Sequence, residues 1–405
     1  MHPIRINVLQ ARLCFLGASG YGLTTAFAQS SWINFSVIGA SIIAIVALMK
    51  MLTEHLRLVD SNFVILLTLC LVISTLLSVA IVNAPFEDKL VSHTLARLFS
   101  IFALYMLPYI LLQSDVPTAT AMQRGLTVAL CITLLLIVYD YLRLNGLLDL
   151  GAVSHMGSDE EILATARGSI YRARGGSYEP GHDAAVISAI LPIALAQIRT
   201  SLRIVVAILI SLVTYLLGFS ISLVIWLIIF TAIYLYLSNA SGFKFRLFAL
   251  LRVVIVCGGF IYLLNALEII ADISDKFFSE SYAMRADSFL DILAGSTHDL
   301  SKLLFGYGPG GYLILEVSAV TNTFASFLLD VGIVGLTFYC LAILFTFRQL
   351  LRINNPIYTA GFVAYVIVFV NAIGNYWFPS HWLFLLYPCF AKLYRVPYNL
   401  QKSTI

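Results

Sequence analysis

Three arginines, Arg167, Arg172 and Arg174, occur within eight residues in a polar stretch between two apolar ones. Arginine keeps its charge at any physiological pH and presents a planar fork of N–H donors that matches phosphate oxygens. Gly175 and Gly176 follow at once, and glycine lets the backbone approach a ligand closely. The cluster predicts a site for a phosphate-bearing anion; lipid headgroups and neighbouring carboxylates are the alternative partners for these side chains.

An acid and a histidine follow the arginine cluster. Tyr178, Glu179 and Pro180 lead into His182 and Asp183, where an apolar stretch begins. Proline suits the first turn of a helix, and the N–H groups at a helix start favour an anion. Glu179 is our first candidate for a general base and His182 is the second. Tyr178 is a candidate for packing against a sugar or lipid, and a helix-capping role would explain His182 equally well.

A second polar stretch carries Arg285 in a short predicted helix with Asp287 and Asp291. The two carboxylates are four residues apart and therefore share one helix face. Mg²⁺ usually needs further oxygen ligands from substrate and water. We therefore predict an arginine contact to the anion here, and no metal site.

A glycine-rich turn, Gly306-Tyr307-Gly308, lies further along the second polar stretch. It lacks the Gly-Lys-Ser/Thr ending of a nucleotide-binding P-loop. We expect a tight turn resting on the membrane surface, with Tyr307 at the interface, where aromatic rings are favoured. Asn322 then opens an apolar stretch that contains Asp330, an acid whose cost in a membrane predicts that it faces the protein interior.

The elements that hold these residues are apolar. Hydrophobic residues make up 60% of the 405-residue chain, charged residues make up 11%, and the mean hydropathy is +0.94. A soluble domain carries about 25% charged residues, so this chain cannot cover a water-facing surface. The composition predicts an all-α polytopic membrane protein and excludes disordered and small secreted classes. The net charge of +3 does not indicate nucleic acid as a partner.

Twelve apolar stretches approach the length of about 20 residues that a membrane-spanning helix needs. They lie near 8–28, 33–52, 62–83, 94–113, 122–142, 183–198, 203–218, 220–238, 250–270, 322–346, 357–377 and 382–396. Ala26-Phe27-Ala28 has the form of a signal-peptidase site, but Arg12 interrupts the stretch before it, so we expect a first span. All six cysteines lie in apolar stretches, which predicts buried thiols rather than disulfides or zinc ligands.

The distribution of positive charge predicts the orientation of the spans. With both termini in the cytoplasm, fifteen of the 24 lysines and arginines fall on the cytoplasmic side, where such residues are favoured. Seven of the nine exceptions lie in or beside two long outer segments, 143–182 and 271–321. We therefore interpret 1–405 as one transmembrane domain whose polar chemistry lies in two outer loops.

The order of these features resembles the O-antigen polymerase and ligase family of bacterial inner membranes. Two long periplasmic segments are typical of that family. The first ends in an Arg-x-x-Gly-type motif. The second has an arginine in a short helix, a Gly-x-Gly turn, and an Asn before a span ending in acid-x-Gly-x-x-Gly. The matching positions, within about 165–340, are Arg172 or Arg174 with Gly175, Arg285, Gly306 with Gly308, Asn322, and Asp330 with Gly332 and Gly335.

The resemblance implies a fold like that of the C-type membrane glycosyltransferases, in the inner membrane, with a periplasmic active site. The substrate would be a glycan carried on undecaprenyl pyrophosphate and presented at the outer leaflet of the membrane lipid. The reaction would use no metal or nucleotide cofactor. A chain-length regulator is a candidate partner. A polymerase would join repeat units, whereas a ligase would move the finished chain to lipid A–core. Ligases of this family usually carry a histidine just before the span that Asn322 opens, and 318–322 has none. Glu179-Pro180 is more typical of polymerases, so we favour a polymerase.

The resemblance and the residue chemistry together give each candidate a role. A lipid pyrophosphate is already a good leaving group, so the protein must neutralise developing charge and remove a proton. The predicted catalytic residues are Glu179, His182 and Arg285, and the predicted substrate-binding residues are Arg172, Arg174, Tyr178, Tyr307 and Asn322. A transporter or lipid flippase is the alternative class. It predicts charged residues lining a path at the membrane midplane but gives no reason for arginine-rich outer segments.

Overall fold

The computed structural model describes residues 3–23, 34–53, 61–81, 87–148, 173, 180–218, 220–238, 258–259, 299–311, 322–371 and 380–394. Every regular element within these ranges is helical, and they contain no strand. The predicted all-α class is thus confirmed. In this part of the chain, seven helices are long and apolar enough to cross a membrane, and two shorter apolar helices occur at Gly181–Leu195 and Pro356–Val370.

The α-helices are numbered in chain order, and three of them continue directly into a π-helical or 3-10 segment. A π-helical segment, Ser100–Met106, joins α4 to α5; another, Val366–Val370, extends α12; and the 3-10 turn Phe384–Leu386 joins α13 to α14. The bounds are α1 (Pro3–Gly20), α2 (Phe35–Thr53), α3 (Asn62–Ile81), α4 (Glu87–Phe99), α5 (Leu107–Ser114), α6 (Val116–Leu144), α7 (Pro180–Leu195), α8 (Arg203–Gly218), α9 (Ile221–Ser238), α10 (Leu300–Phe305), α11 (Thr323–Ile353), α12 (Pro356–Tyr365), α13 (Ser380–Leu383) and α14 (Tyr387–Leu393).

Helices occupy every predicted span except the ninth, 250–270, of which the structure describes only 258–259. The break predicted between the seventh and eighth spans is confirmed, since α8 ends at Gly218 and α9 begins at Ile221. Pro180 stands at the first position of α7, as predicted from its fixed φ. The full count of twelve spans stays a prediction.

The helix α3 shows how the apolar sequence is distributed between core and surface. Its polar residues Thr68, Ser74, Thr75 and Ser78 are buried. The opposite face is exposed and consists of large apolar side chains, among them Leu66, Leu69, Ile73 and Leu76. A helix in water shows the reverse pattern, whereas small and polar residues between helices with apolar residues outside are typical of a helix in lipid.

Of the cysteines in the described ranges, Cys14 and Cys389 are buried as predicted, and all five are free thiols. Burial was the wrong prediction for Cys131, which lies exposed on α6. An apolar stretch that faces lipid on one side exposes its thiols as readily as its leucines, which the composition alone cannot distinguish.

One end of the bundle is fixed by a buried ion pair between α2 and α6. The Lys50 ammonium group pairs with the carboxylate of Asp115, the N-cap residue of α6. The Thr118 hydroxyl group hydrogen-bonds to the same carboxylate. Both charges are largely removed from solvent, so each requires the other as a partner. The hydrogen bond from Thr118 further stabilises the Asp115 carboxylate at the start of α6.

The helices α1 and α2 cross at two glycines. A Cβ atom built on Gly39 would lie 2.2 Å from the carbonyl oxygen of Gly17, and one built on Gly17 would lie 2.7 Å from the carbonyl oxygen of Gly39. Both distances are shorter than van der Waals contact allows. The crossing therefore depends on the absence of side chains, as in other close contacts between membrane helices.

We expect Gly39→Ala to destabilise the protein by about 1–3 kcal/mol, because overpacking separates α1 from α2. The measurement is thermal unfolding of the purified protein in detergent. Gly181→Ala is the matched control, since a Cβ atom there meets no atom within 4 Å. Equal melting temperatures for the two variants would contradict the close crossing.

Candidate functional site

Arg97 on α4 and Asp330 on α11 form an ion pair inside the protein. The Arg97 Nη1 donates a hydrogen bond of 2.9 Å to the Asp330 Oδ2. The exposed fractions are 0% for Arg97 and 3% for Asp330. The guanidinium group also lies 4.3 Å from the ring centroid of Phe327, three residues before Asp330. Because a buried charge is costly unless it is paired, this contact fixes α4 against α11.

The same aspartate binds the glycine-rich turn. The backbone N–H groups of Gly310 and Gly311 lie 3.2 and 3.3 Å from the Asp330 Oδ1, which accepts both. The Asp330 carbonyl oxygen accepts from the Ser78 hydroxyl group of α3 and, at 3.1 Å, from the backbone N–H of Gly308. Asp330 therefore joins α3, α4, α11 and the turn 306–311.

The contact with the turn depends on a break in α11 at Gly332, where φ is 65° and ψ is −169°. A break in a helix frees the carbonyl groups before it, and a freed backbone group inside a membrane protein needs another partner. The backbone N–H of Tyr307 donates to the Leu329 carbonyl at 2.7 Å, beside the Gly308 bond to Asp330. The turn thus supplies the hydrogen bonds that the broken helix lacks.

Glycine is required on both sides of this contact. Gly306 has φ 78° and Gly332 has φ 65°, a region that other residues rarely adopt. A Cβ atom on Gly306 would lie 2.5 Å from the carbonyl carbon of Asp330, and one on Gly332 would lie 2.3 Å from the carbonyl carbon of Leu304. The two backbones touch directly, which accounts for the Gly-x-Gly and acid-x-Gly patterns in physical terms.

The short helix α10 brings the chain to the turn. Its N-cap is Asp299, whose Oδ1 accepts from the backbone N–H of Ser301 at 3.0 Å and from the Ser301 hydroxyl group at 2.6 Å. These bonds favour the carboxylate, so the hydroxyl group of Ser301 and the backbone N–H groups lower the pKa of Asp299. The helix ends at Phe305, and its C-cap residue Gly306 donates its N–H to the Lys302 carbonyl at 2.7 Å.

Tyr307 is buried inside the protein, so the prediction that its ring lies exposed on the surface was wrong. Its exposed fraction is 5%, and its ring lies 5.2 Å from the Nζ of Lys302. The turn enters the protein because its N–H groups are needed by the broken helix, a demand that hydropathy does not show. A contact between Tyr307 and substrate stays a prediction.

Asn322 caps α11. Its side-chain oxygen accepts from the backbone N–H groups of Phe324 at 2.8 Å and Ala325 at 3.2 Å, the arrangement of a helix N-cap. The residue thereby fixes the point at which the second polar segment rejoins the bundle. Its predicted contact with substrate stays a prediction beside this capping role.

His182 lies in the first turn of α7, with an exposed fraction of 9%. The start of α13 packs against α7 and brings a second imidazole, that of His381, within electrostatic range of His182. His381 is 1% exposed, and its Nδ1 lies 3.2 Å from the hydroxyl oxygen of Tyr365 on α12. Sequence reasoning missed His381, although it precedes an apolar stretch just as His182 does.

An aromatic layer connects the histidines to the ion pair. The ring of Trp382, next to His381, lies 6.2 Å from that of Tyr339, which stacks on Phe327 at 4.1 Å. Phe327 is the ring beneath the guanidinium group of Arg97. These contacts therefore join the start of α7, the helix α13, the part of α11 around its break and the turn 306–311 into one region. We define this region as the polar-aromatic end.

Sequence reasoning also missed Arg97. The signal was present, because Arg97 and Asp330 are opposite charges inside two apolar stretches, and such charges pair with one another in membrane proteins. Among the described residues no group of three His, Cys, Asp or Glu side chains is arranged to hold a metal ion.

Several predicted residues lie outside the part of the chain that the structure describes. The intervening Ala173 is described: it is buried, and its N–H donates to the Leu217 carbonyl of α8 at 3.1 Å. This bond anchors the first polar segment, between its two predicted binding arginines, at the end of α8. The predicted site residues outside the described ranges are Arg172, Arg174, Tyr178, Glu179 and Arg285. Arg167, Gly175, Gly176, Asp287 and Asp291 also lie outside them.

No protein-family model matches the chain, and no curated protein matches it in sequence.

Replacing Arg97 by Met should destabilise the protein by about 3–5 kcal/mol, because Asp330 is left as an uncompensated buried charge. The double variant Arg97→Met/Asp330→Asn should be more stable than Arg97→Met. It holds no buried charge, and the amide oxygen can still accept from the N–H groups of Gly310 and Gly311. The measurement is thermal unfolding of both variants and of Asp330→Asn in detergent.

Lys302→Met is the control for this pair, because Lys302 forms an exposed ion pair with Asp299 at 3.7 Å and should melt like the wild type. If the double variant loses as much stability as the two single variants together, the Arg97 and Asp330 side chains act independently and the proposed pairing is contradicted.

Gly306→Ala should destabilise the protein well beyond the cost of its positive φ, since the new methyl group meets the backbone of Asp330. Gly146→Ala isolates the conformational cost, of roughly 1–2 kcal/mol. Gly146 has a similar φ of 69° but open space around it. Comparison of the two melting temperatures checks the contact, and equal losses would refute it.

Proposed function

We propose that this chain is a glycosyltransferase of the bacterial inner membrane. It would polymerise oligosaccharide repeat units carried on undecaprenyl pyrophosphate, as in O-antigen or a related surface polysaccharide, at the periplasmic face. The supporting observation is the polar-aromatic end, where the second outer segment folds back onto a fully buried arginine. The first outer segment rejoins the bundle at α7 in the same region.

The topology proposed with this function has twelve spans, both termini in the cytoplasm and two long periplasmic segments. The polar-aromatic end would then face the periplasm, since α7, α11 and α13 all begin there. The two arginine-rich segments would meet the membrane at this same level. A lipid-linked pyrophosphate in the outer leaflet presents its charge at that depth.

The reaction needs no cofactor, because the glycosyl–pyrophosphate bond already stores the driving energy. The acceptor hydroxyl oxygen attacks the anomeric carbon, and the bond to the pyrophosphate oxygen breaks with its electron pair. Arg172, Arg174 and Arg285 would hold the pyrophosphate and stabilise the charge that develops on it. Glu179 or His182 would accept the hydroxyl proton.

Arg97 has a different role in this proposal. Its charge is engaged by Asp330 and by the ring of Phe327, well inside the protein. It therefore acts as a positioning residue: it holds Asp330, which in turn holds the N–H groups of Gly310 and Gly311. The segment that carries Arg285 is attached to the bundle through this contact. Small displacements of such a support reduce the rate of a reaction strongly.

A ligase that transfers the finished glycan to lipid A–core is the nearest alternative, and a transporter is the second. For a transporter, free charges lining a path are expected. In the described part of the chain, the two most buried ion pairs, Lys50 with Asp115 and Arg97 with Asp330, instead lock helices together. A deletion strain separates the other two: single-repeat caps on lipopolysaccharide indicate a lost polymerase, and free lipid-linked polymer indicates a lost ligase.

Purified chain mixed with its lipid-linked repeat unit should form polymer without added nucleotide or metal. Arg174→Ala and Arg285→Ala should each lower the rate by about 10²-fold, because each removes a donor to the leaving pyrophosphate. Product length on gels is the measurement. Arg199→Ala is the control, since Arg199 is exposed at the other end of α7 and should leave the rate unchanged. Full-length polymer at normal rate and protein level from both test variants would reject the arginine clamp.

A further inference from the structure

Two buried imidazoles lie on neighbouring helices at the polar-aromatic end. His182 stands near the start of α7 and His381 near the start of α13, and these two helices pack together. Both side chains are at least nine-tenths buried, and each lies within the electrostatic field of the other. Two histidines so placed cannot both carry a full charge at low cost, because like charges repel strongly away from water.

The orientation of His381 is fixed by α12. Its Nδ1 lies 3.2 Å from the hydroxyl oxygen of Tyr365, and the two rings meet edge to face with centroids 6.1 Å apart. Its Nε2 makes no hydrogen bond to any described residue. A ring nitrogen that is fixed in direction, buried and without a bond is suited to exchange a proton with a bound group.

Few other charged groups surround the pair within the described ranges. Asp183 follows His182 on α7, Tyr365 faces His381 from α12, and the aromatic layer presents Tyr339 from α11 and Tyr105 from the π-helical segment. Arg97, whose charge is paired with Asp330, is the basic residue of the same layer. A further histidine of the region, His93 of α4, lies against Gly310 in the turn. The two imidazoles are thus the nitrogen bases that flank the contact between α7 and α13.

We propose that His182 and His381 act together as the proton acceptor of the transfer reaction and hold one proton between them. This inference depends on the proposed function. The acceptor O–H bond breaks as its oxygen forms the glycosidic bond, the pyrophosphate leaves with its electron pair, and the proton passes to the imidazole pair. Water at the periplasmic face takes it up after product release. Glu179 would then not be the base.

The first test is the pH profile of polymer formation by the purified chain. The wild type should lose activity on the acidic side, because a protonated pair cannot accept another proton. His381→Gln should lower kcat by about 10²-fold with little change in KM, and its acidic limb should move by about one pH unit. The double variant His182→Gln/His381→Gln should be no slower than the slower single variant, since the two residues act as one unit.

Two tyrosine variants provide the matched comparison. Tyr365→Phe removes the hydroxyl group that holds His381, so it should lower kcat and shift the acidic limb. Tyr105→Phe removes another fully buried hydroxyl group, one without a hydrogen-bond partner among the described residues, and should change neither. The pair of variants keeps the test valid if His381→Gln is unstable.

Titration of the ¹⁵N-labelled histidines by NMR is independent of catalysis. His182→Gln should shift the His381 titration if the two imidazoles share a proton. An unchanged His381 titration, an unchanged pH profile in Tyr365→Phe, or multiplying losses in the double histidine variant would each overturn the proposal. A wild type that makes no polymer while the coupled titration persists would reject the proposed function and leave the proton pair standing.

Discussion

The described architecture depends on one charge pair removed from solvent. Arg97 and Asp330 are costly to bury separately, and together they are stable only because further groups satisfy the carboxylate. Each of those groups comes from a different element: the guanidinium group from α4 and the N–H groups from the turn. The Ser78 hydroxyl group of α3 binds the backbone of the same aspartate. A single acid therefore determines how three helices and a polar segment are placed, which no apolar contact could specify so narrowly.

The break in α11 and the entry of the turn are two parts of the same arrangement. An unbroken helix would offer no free carbonyl groups at Leu329 and Asp330, and the turn would then have to bury its own N–H groups without partners. Conversely, the open helix needs the turn. Each irregular feature is unstable alone, which explains why the glycines on both sides have positive φ values.

Much of the fold could be predicted from sequence, because hydropathy and length determine where a chain forms membrane helices. Asp330 was correctly predicted to face the interior, since an exposed carboxylate is costly in lipid whatever its partner in the protein is. Its partner was not predicted, because Arg97 lies more than two hundred residues away and helix packing is not written in either stretch. Tyr307 was misplaced for a related reason: hydropathy reports the preference of a side chain for an interface and takes no account of backbone groups that must be paired.

The candidate site was predicted less completely than the fold. Charge against the usual topology pointed to arginines that lie outside the described ranges, and Pro180 correctly placed His182 in the first turn of α7. His381 and Tyr365 meet only through the packing of α12, α13 and α7, so their contact could be found only in the structure.

The contact between the turn and α11 is made largely by main-chain atoms, which affects how far the sequences of related proteins can diverge. Two of the four hydrogen bonds between the turn and α11 join peptide groups, and the other two run from peptide N–H groups to the Asp330 carboxylate. The contact therefore requires the glycines, the aspartate and its arginine partner, but few other particular side chains. Distant homologues could therefore share this architecture while having few identical residues. Relationships among such proteins would be found better by superposing backbones than by aligning sequences.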